Sequence, residues 1–161
     1  MELARSYQVF YGLKFLRDCQ GSAKLIIRQS IAGKNMLTDQ EIEDAKQKTI
    51  YGSDQPYHEH PDCIRIAYEW LDAQKKINSV NSKFHDLKHL VEKWGGRYVS
   101  ASDVEVAAYL HPEIKGIYPC LNISSRLTEP SKKRLEGVLE AYTQDHHKRH
   151  DPKKYSCSED F

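Results

Sequence analysis

The sequence predicts an all-α fold of about seven helices, an antiparallel helical bundle with a C-terminal helix-turn-helix-like unit. Three observations predict it. Apolar residues recur at three- and four-residue steps in successive segments, as they do when one face of a helix is buried. Capping residues open these segments, and glycine or proline closes them. Alternation of strand length is almost absent.

Leu3, Tyr7, Phe10, Tyr11 and Leu13 or Phe15 give the first helical pattern, broken at Gln20-Gly21-Ser22. Ser22 then caps a second, with Leu25, Ile26 and Ile27, which Gly33 ends. Thr38-Asp-Gln-Glu41 is a capping box, in which the threonine oxygen accepts from the third helical amide and the glutamate reaches back. Its helix, about residues 39 to 50, buries Ile42, Ala45 and Ile50. Gly52, Ser53, Asp54 and Pro56 form a loop, and Pro61 suits the first position of a fourth helix, residues 62 to 77. Ile64, Ala67, Trp70, Leu71 and Ile77 mark its buried stripe. A fifth helix, about 83 to 94, carries Phe84, Leu87, Leu90, Val91 and Trp94 and stops at Gly95-Gly96. Arg97 to Val99 reads as a short extended piece. Ser102-Asp-Val-Glu105 is a second capping box, whose helix ends near Pro112. The last helix begins at Thr128-Glu-Pro130 and carries Leu135, Val138, Leu139 and Tyr142.

The organisation that follows is an N-terminal helical hairpin region over 1–52 and a C-terminal helical unit over 57–145, with one compact domain as the other division. Residues 146–161 have little apolar content beyond Tyr155 and Phe161 and cannot offset much ordering entropy, so a mobile tail is expected. Length and composition fit a globular chain: 161 residues, 39% hydrophobic and 29% charged, with a formal net charge of +1. Such a balance excludes disordered, collagenous and disulfide-framework classes, and it imposes no global field toward nucleic acid or membrane. No window approaches the roughly 20 apolar residues of a membrane span. The charged N-terminus lacks the run of a signal peptide. Cys19, Cys63, Cys120 and Cys157 are far apart with no CxxC pair, which reads as reduced thiols of a cytoplasmic protein. Cys63 falls on a buried stripe, and Cys157 in an exposed tail.

Residues 99 to 142 have the cadence of a helix-turn-helix reader. A capped helix with Ala107 and Ala108 permits close approach. A polar segment with Asn122, Ser124, Ser125 and Arg126 follows, then a helix opening on Lys132, Lys133 and Arg134. In outline this stretch resembles the LacI-type DNA-binding headpiece. The resemblance implies base-edge contact from the polar segment and phosphate contact from the basic helix. Residues 111 to 154 hold nine Lys and Arg against six acids, whereas 39 to 61 hold six acids and two lysines. Regulatory binding of nucleic acid through the C-terminal unit is therefore the first reading, with Asn122, Ser124, Ser125, Arg126, Lys132, Lys133 and Arg134 as contacts.

Two alternatives stand beside it. Ten tyrosines and two tryptophans suit a protein-protein interaction module or an inhibitor acting by occlusion. Tyr51 and Tyr57 flank one loop, and Tyr98, Tyr109 and Tyr118 surround the turn region. A homodimer is left open. The second alternative is a metal-dependent hydrolase, because His85 and His89 stand one helical turn apart and His58 and His60 could complete a ligand set, with Glu59 or Asp62 as base. Asp86 stands where a zincin needs glutamate, and surface or capping histidines are the simpler account. No catalytic residue, metal ligand or cofactor is assigned: there is no GxGxxG, GxxxxGK[ST] or GxSxG.

Overall fold

In the computed structural model, residues 16–17, 23–24, 36–83 and 86–160 are described. The chain divides into two units, Met1–Asn35 and Met36–Phe161. In the first, β1 (Leu16–Arg17) pairs antiparallel with β2 (Ala23–Lys24). The two helices expected before residue 34 lie, these four residues apart, outside the described residues.

The second unit is mixed α and β, which overturns the all-α bundle of seven helices. Four helices, α1 (Asp39–Lys48), α2 (Pro61–Ala73), α3 (Leu87–Gly95) and α4 (Ala101–Leu110), are joined by strands β3 (Lys76–Asn81), β4 (Gly116–Ile117), β5 (Cys120–Ile123), β6 (Thr128–Glu129) and β7 (Cys157–Ser158). β3, β5 and β4 form an antiparallel sheet in that order, and β6 pairs parallel with β7.

The helices are where capping chemistry puts them. Thr38 and Glu41 form the expected box at α1, Pro61 opens α2, and Gly96 closes α3 with a φ of 64° that disfavours any side chain. At α4 the box is Ser100 with Asp103, two residues before the one expected. Trp70 and Trp94 are both buried, on α2 and α3, among Ile64, Ala67, Leu71, Leu87 and Val91. Ile50, expected in the core, is 72% exposed, because α1 ends at Lys48 and Thr49 is extended.

The corrections have local causes. Leu121 and Ile123 alternate about Asn122 and enter the core as a strand, so no recognition helix exists between α4 and residue 132. With it the helix-turn-helix, the headpiece resemblance and the DNA-binding assignment built on them are withdrawn. The last helix is replaced by a 3-10 turn over Lys132–Leu135, since Gly137 takes a φ of 91° and Tyr142 one of 61°. Leu135 and Val138 still reach the core, but Leu139 is left 87% exposed. None of the described helices is long and apolar enough to cross a membrane.

The final stretch, expected to be mobile, makes specific contacts. Tyr155 accepts from Trp70 Nε1 at 3.2 Å, Ser156 N donates to Leu127 O at 2.7 Å, and Glu159 takes two hydrogen bonds from Arg134, each 2.6 Å.

Candidate functional site

The segment from Thr49 to His60 has no regular structure, yet side chains fix it along its length. Most of them come from the first turn and a half of α4. Gly52 N donates to Glu105 Oε1 at 3.0 Å, Tyr57 N donates to Ser102 Oγ at 3.3 Å, and Ser100 Oγ donates to Tyr57 O at 2.6 Å. His58 Nδ1 lies 2.8 Å from Asp103 Oδ1, and its Nε2 lies 3.1 Å from the Tyr51 hydroxyl, which donates to Lys46 O. Asp103 has no exposed surface. Its second oxygen accepts from Ser100 N, so one carboxylate completes the helix cap and holds the loop. The N-terminus of α4 favours that negative charge. Burial, with Glu105, Asp103 and Glu43 nearby, pushes the Tyr51 phenol above its ordinary range.

A second anchor lies at the loop's end. Arg97, almost wholly buried, receives Glu59 from the loop at 3.2 Å and pairs with Glu140. It also donates to Thr143 Oγ1 at 3.1 Å and to Cys63 Sγ at 3.3 Å. Burial pushes the Cys63 thiol up, so it is a poor nucleophile at neutral pH. His60 accepts from Asp62 N and thereby caps α2.

Against this rigid frame the outer surface of the loop is apolar in places. Tyr57 is 56% exposed, with its ring edge-on to Tyr98 at 6.3 Å. Lys88 Nζ lies 5.2 Å from the Tyr98 ring centre. Leu139 and Tyr142, next to the Arg97 partners Glu140 and Thr143, are exposed as well. An open cleft between Met36–Asp39, His60–Asp62, Arg65 and Gly137–Leu139 adjoins them.

The residues assigned to nucleic acid do not form one group. Asn122 is buried, and its amide is fully used: it donates to Ile77 O and Glu113 O and accepts from Lys115 N. Ser124 Oγ accepts from Arg126 N in the turn after β5, where Ser125 and Arg126 are exposed. Lys132 and Lys133 are exposed on the 3-10 turn. Arg134 is turned inward to Glu159, Asp72 and Glu69.

The histidines are likewise dispersed. His58 and His60 serve the loop and the α2 cap, His89 pairs with Glu92 at 2.7 Å, and His85 lies outside the described residues. Among the described residues no group of three or more His, Cys, Asp or Glu could hold a metal. No family model matches the chain, and no curated protein or solved structure does either.

Sequence reasoning saw a capping box near Ser102 and tyrosines flanking the loop, but it missed the clamp. Two serines, an aspartate and a glutamate within Ser100–Glu105 are more polar side chains than a helix start needs. That excess was the available signal. Their partners stand some 45 residues earlier, beyond the reach of any local pattern.

Proposed function

We propose that the protein is a cytoplasmic binding module that engages another protein through the loop Thr49–His60 and acts by occluding it. One observation carries the reading. Both main-chain groups of Tyr57 are tied to serines of α4 while its ring stands 56% exposed. An aromatic side chain on an immobilised backbone gives contact area with little ordering cost on association, which is how interface anchors work. Cys63, Cys120 and Cys157 are free thiols, as suits a reducing compartment.

The test is a photo-crosslinking amino acid placed at Tyr57, compared with the same group at the exposed Gln47 of α1. A discrete protein adduct from position 57 and not from 47 is the expected result. Identical patterns from both positions would refute the reading.

A further inference from the structure

The loop also restricts what kind of partner it fits. Tyr57 N–H and C=O and the Gly52 N–H are all engaged inside the molecule, so Tyr57 has no main-chain donor or acceptor to spare. Recognition by strand addition, or in the manner of a protease substrate, needs those groups. At Tyr57 a partner therefore reads the side chain.

The side chains around it are apolar and acidic. Ile50 and Tyr57 supply the exposed apolar area. From residue 39 to 61 there are six acids and two lysines, and all six acids are exposed. Of the cations in the region, Arg65 is matched by Asp39 and Asp62, Arg97 by Glu59 and Glu140, and Lys46 by Glu43, which leaves Lys48 against Glu41, Asp44 and Asp54. Asp44 and Asp54 have no basic partner among the described residues. The segment 39–61 is thus left with an excess of negative charge, and Asp54 carries part of it in the loop itself.

We propose that the loop docks on a basic protein surface, seating the Tyr57 ring in an apolar recess while Asp54 and neighbouring carboxylates meet Lys and Arg side chains. The proposal rests on the protein-binding reading above and specifies its partner. Charge complementarity of this kind steers association and weakens with salt. It also disfavours nucleic acid at this face, whose phosphates the same carboxylates repel.

The experiment titrates the full-length, 15N-labelled chain with tetra-arginine, tetra-lysine and tetra-glutamate peptides and follows amide shifts. Localised, saturable shifts over residues 50 to 59 with both cationic peptides and none with tetra-glutamate are expected. They should weaken several-fold in the variant Tyr57→Ala and in the double variant Asp44→Asn, Asp54→Asn, and in about 300 mM salt, where the Debye length falls to roughly 6 Å. Among the described residues neither acid pairs with a cation, and an asparagine oxygen can still accept the exposed Gln40 Nε2 hydrogen bond that Asp44 takes, so folding is not at stake. Absence of localised shifts, or equal shifts with tetra-glutamate, overturns the proposal. The adduct formed at position 57 separates the two readings. A partner whose contacted surface is acidic or neutral removes the basic partner and keeps protein binding, whereas failure to form any adduct removes both. An adduct of twice the chain's mass makes a second copy the occupant and likewise overturns the proposal.

Discussion

Asp103 shows how much one side chain can be asked to do: its two oxygens take the Ser100 amide and the His58 ring, and it has no exposed surface. Asp103→Ala removes a helix cap and strands the buried Ser100 amide and the half-buried His58 ring, for a loss of about 2 to 4 kcal/mol by chemical denaturation. Tyr57→Ala, at the outer end of the same network, removes only one aromatic edge contact and should cost about 1 kcal/mol or less while weakening the peptide-induced shifts described above. If the two variants lost stability equally, Tyr57 would be a packing residue and the loop no recognition element. A second residue-scale expectation concerns Tyr155, whose phenol is pushed up to about 12, first by burial and further by Glu129. A raised phenol stabilises the fold below the ordinary tyrosine range, and that stability is lost as pH rises from about 10 through the folded value. Spectrophotometric titration at the phenolate band should show one tyrosine ionising near 12 together with a change in Trp70 fluorescence. Replacement of Tyr155 by Phe removes that late step.

At the scale of elements, what was legible in the sequence was what is local. The capping box at Thr38, Pro61 at the start of α2, the stripe from Ile64 to Leu71 and the glycine stop after Trp94 each declare themselves within one or two turns, and each stands in the structure. The strands were illegible because they are short and their pairing is distant. β3 meets β5 across some 40 residues, with a register shift between Lys76 and Asn81 that hides any alternation, and β4 and β6 are two residues each. Asn122 misled for a related reason: a polar residue between Leu121 and Ile123 resembles a reader's contact, but it is a buried brace whose amide joins three separate main-chain groups. Gln74 is another such brace. Its side chain donates to Trp70 O and Thr128 O and accepts from Thr128 N, so it fastens the end of α2 to β6 from a position with almost no exposure. Gln74→Leu keeps much of the volume and leaves the Thr128 amide and carbonyl unpaired, which should cost about 2 to 4 kcal/mol, whereas Gln74→Glu, which cannot donate when ionised, should be at least as damaging. A Gln74→Leu variant as stable as the parent would mean that water or a shifted β6 satisfies those groups.

For the molecule as a whole, the chain end acts as a strap over the helical core, held at points far apart in sequence. β7 pairs with β6, His150 meets Glu129 at 2.7 Å, Tyr155 meets Trp70, and Glu159 meets Arg134. Arg134 is the hub, since it also pairs with Asp72, which in turn faces His111. The His111 hydrogen bond and the Arg134 guanidinium hold the Asp72 carboxyl well below the usual range, and the hydrogen bonds that Glu159 accepts from Arg134 and from the Ser131 amide lower its own. A carboxyl held low contributes stability that is present above its unfolded value, about 4, and is lost as pH falls through the folded one. Acid should therefore loosen the strap as both carboxyls are protonated, a transition visible as a red shift of tryptophan emission as Trp70 loses its cover. Truncation after Gln144 should produce the same red shift at neutral pH and lower the melting temperature, because Trp70 Nε1 loses its partner and the core loses the wall that Tyr155 forms. Arg134→Leu separates the two causes: it should abolish the Glu159 part of the acid transition and leave the part that His111 holds at Asp72, while keeping Tyr155 and the β6–β7 pairing. If the truncated chain matched the full-length protein in emission and melting, residues 145 to 160 would contribute nothing to the core, and the contacts of Tyr155 and Glu159 would be incidental to stability.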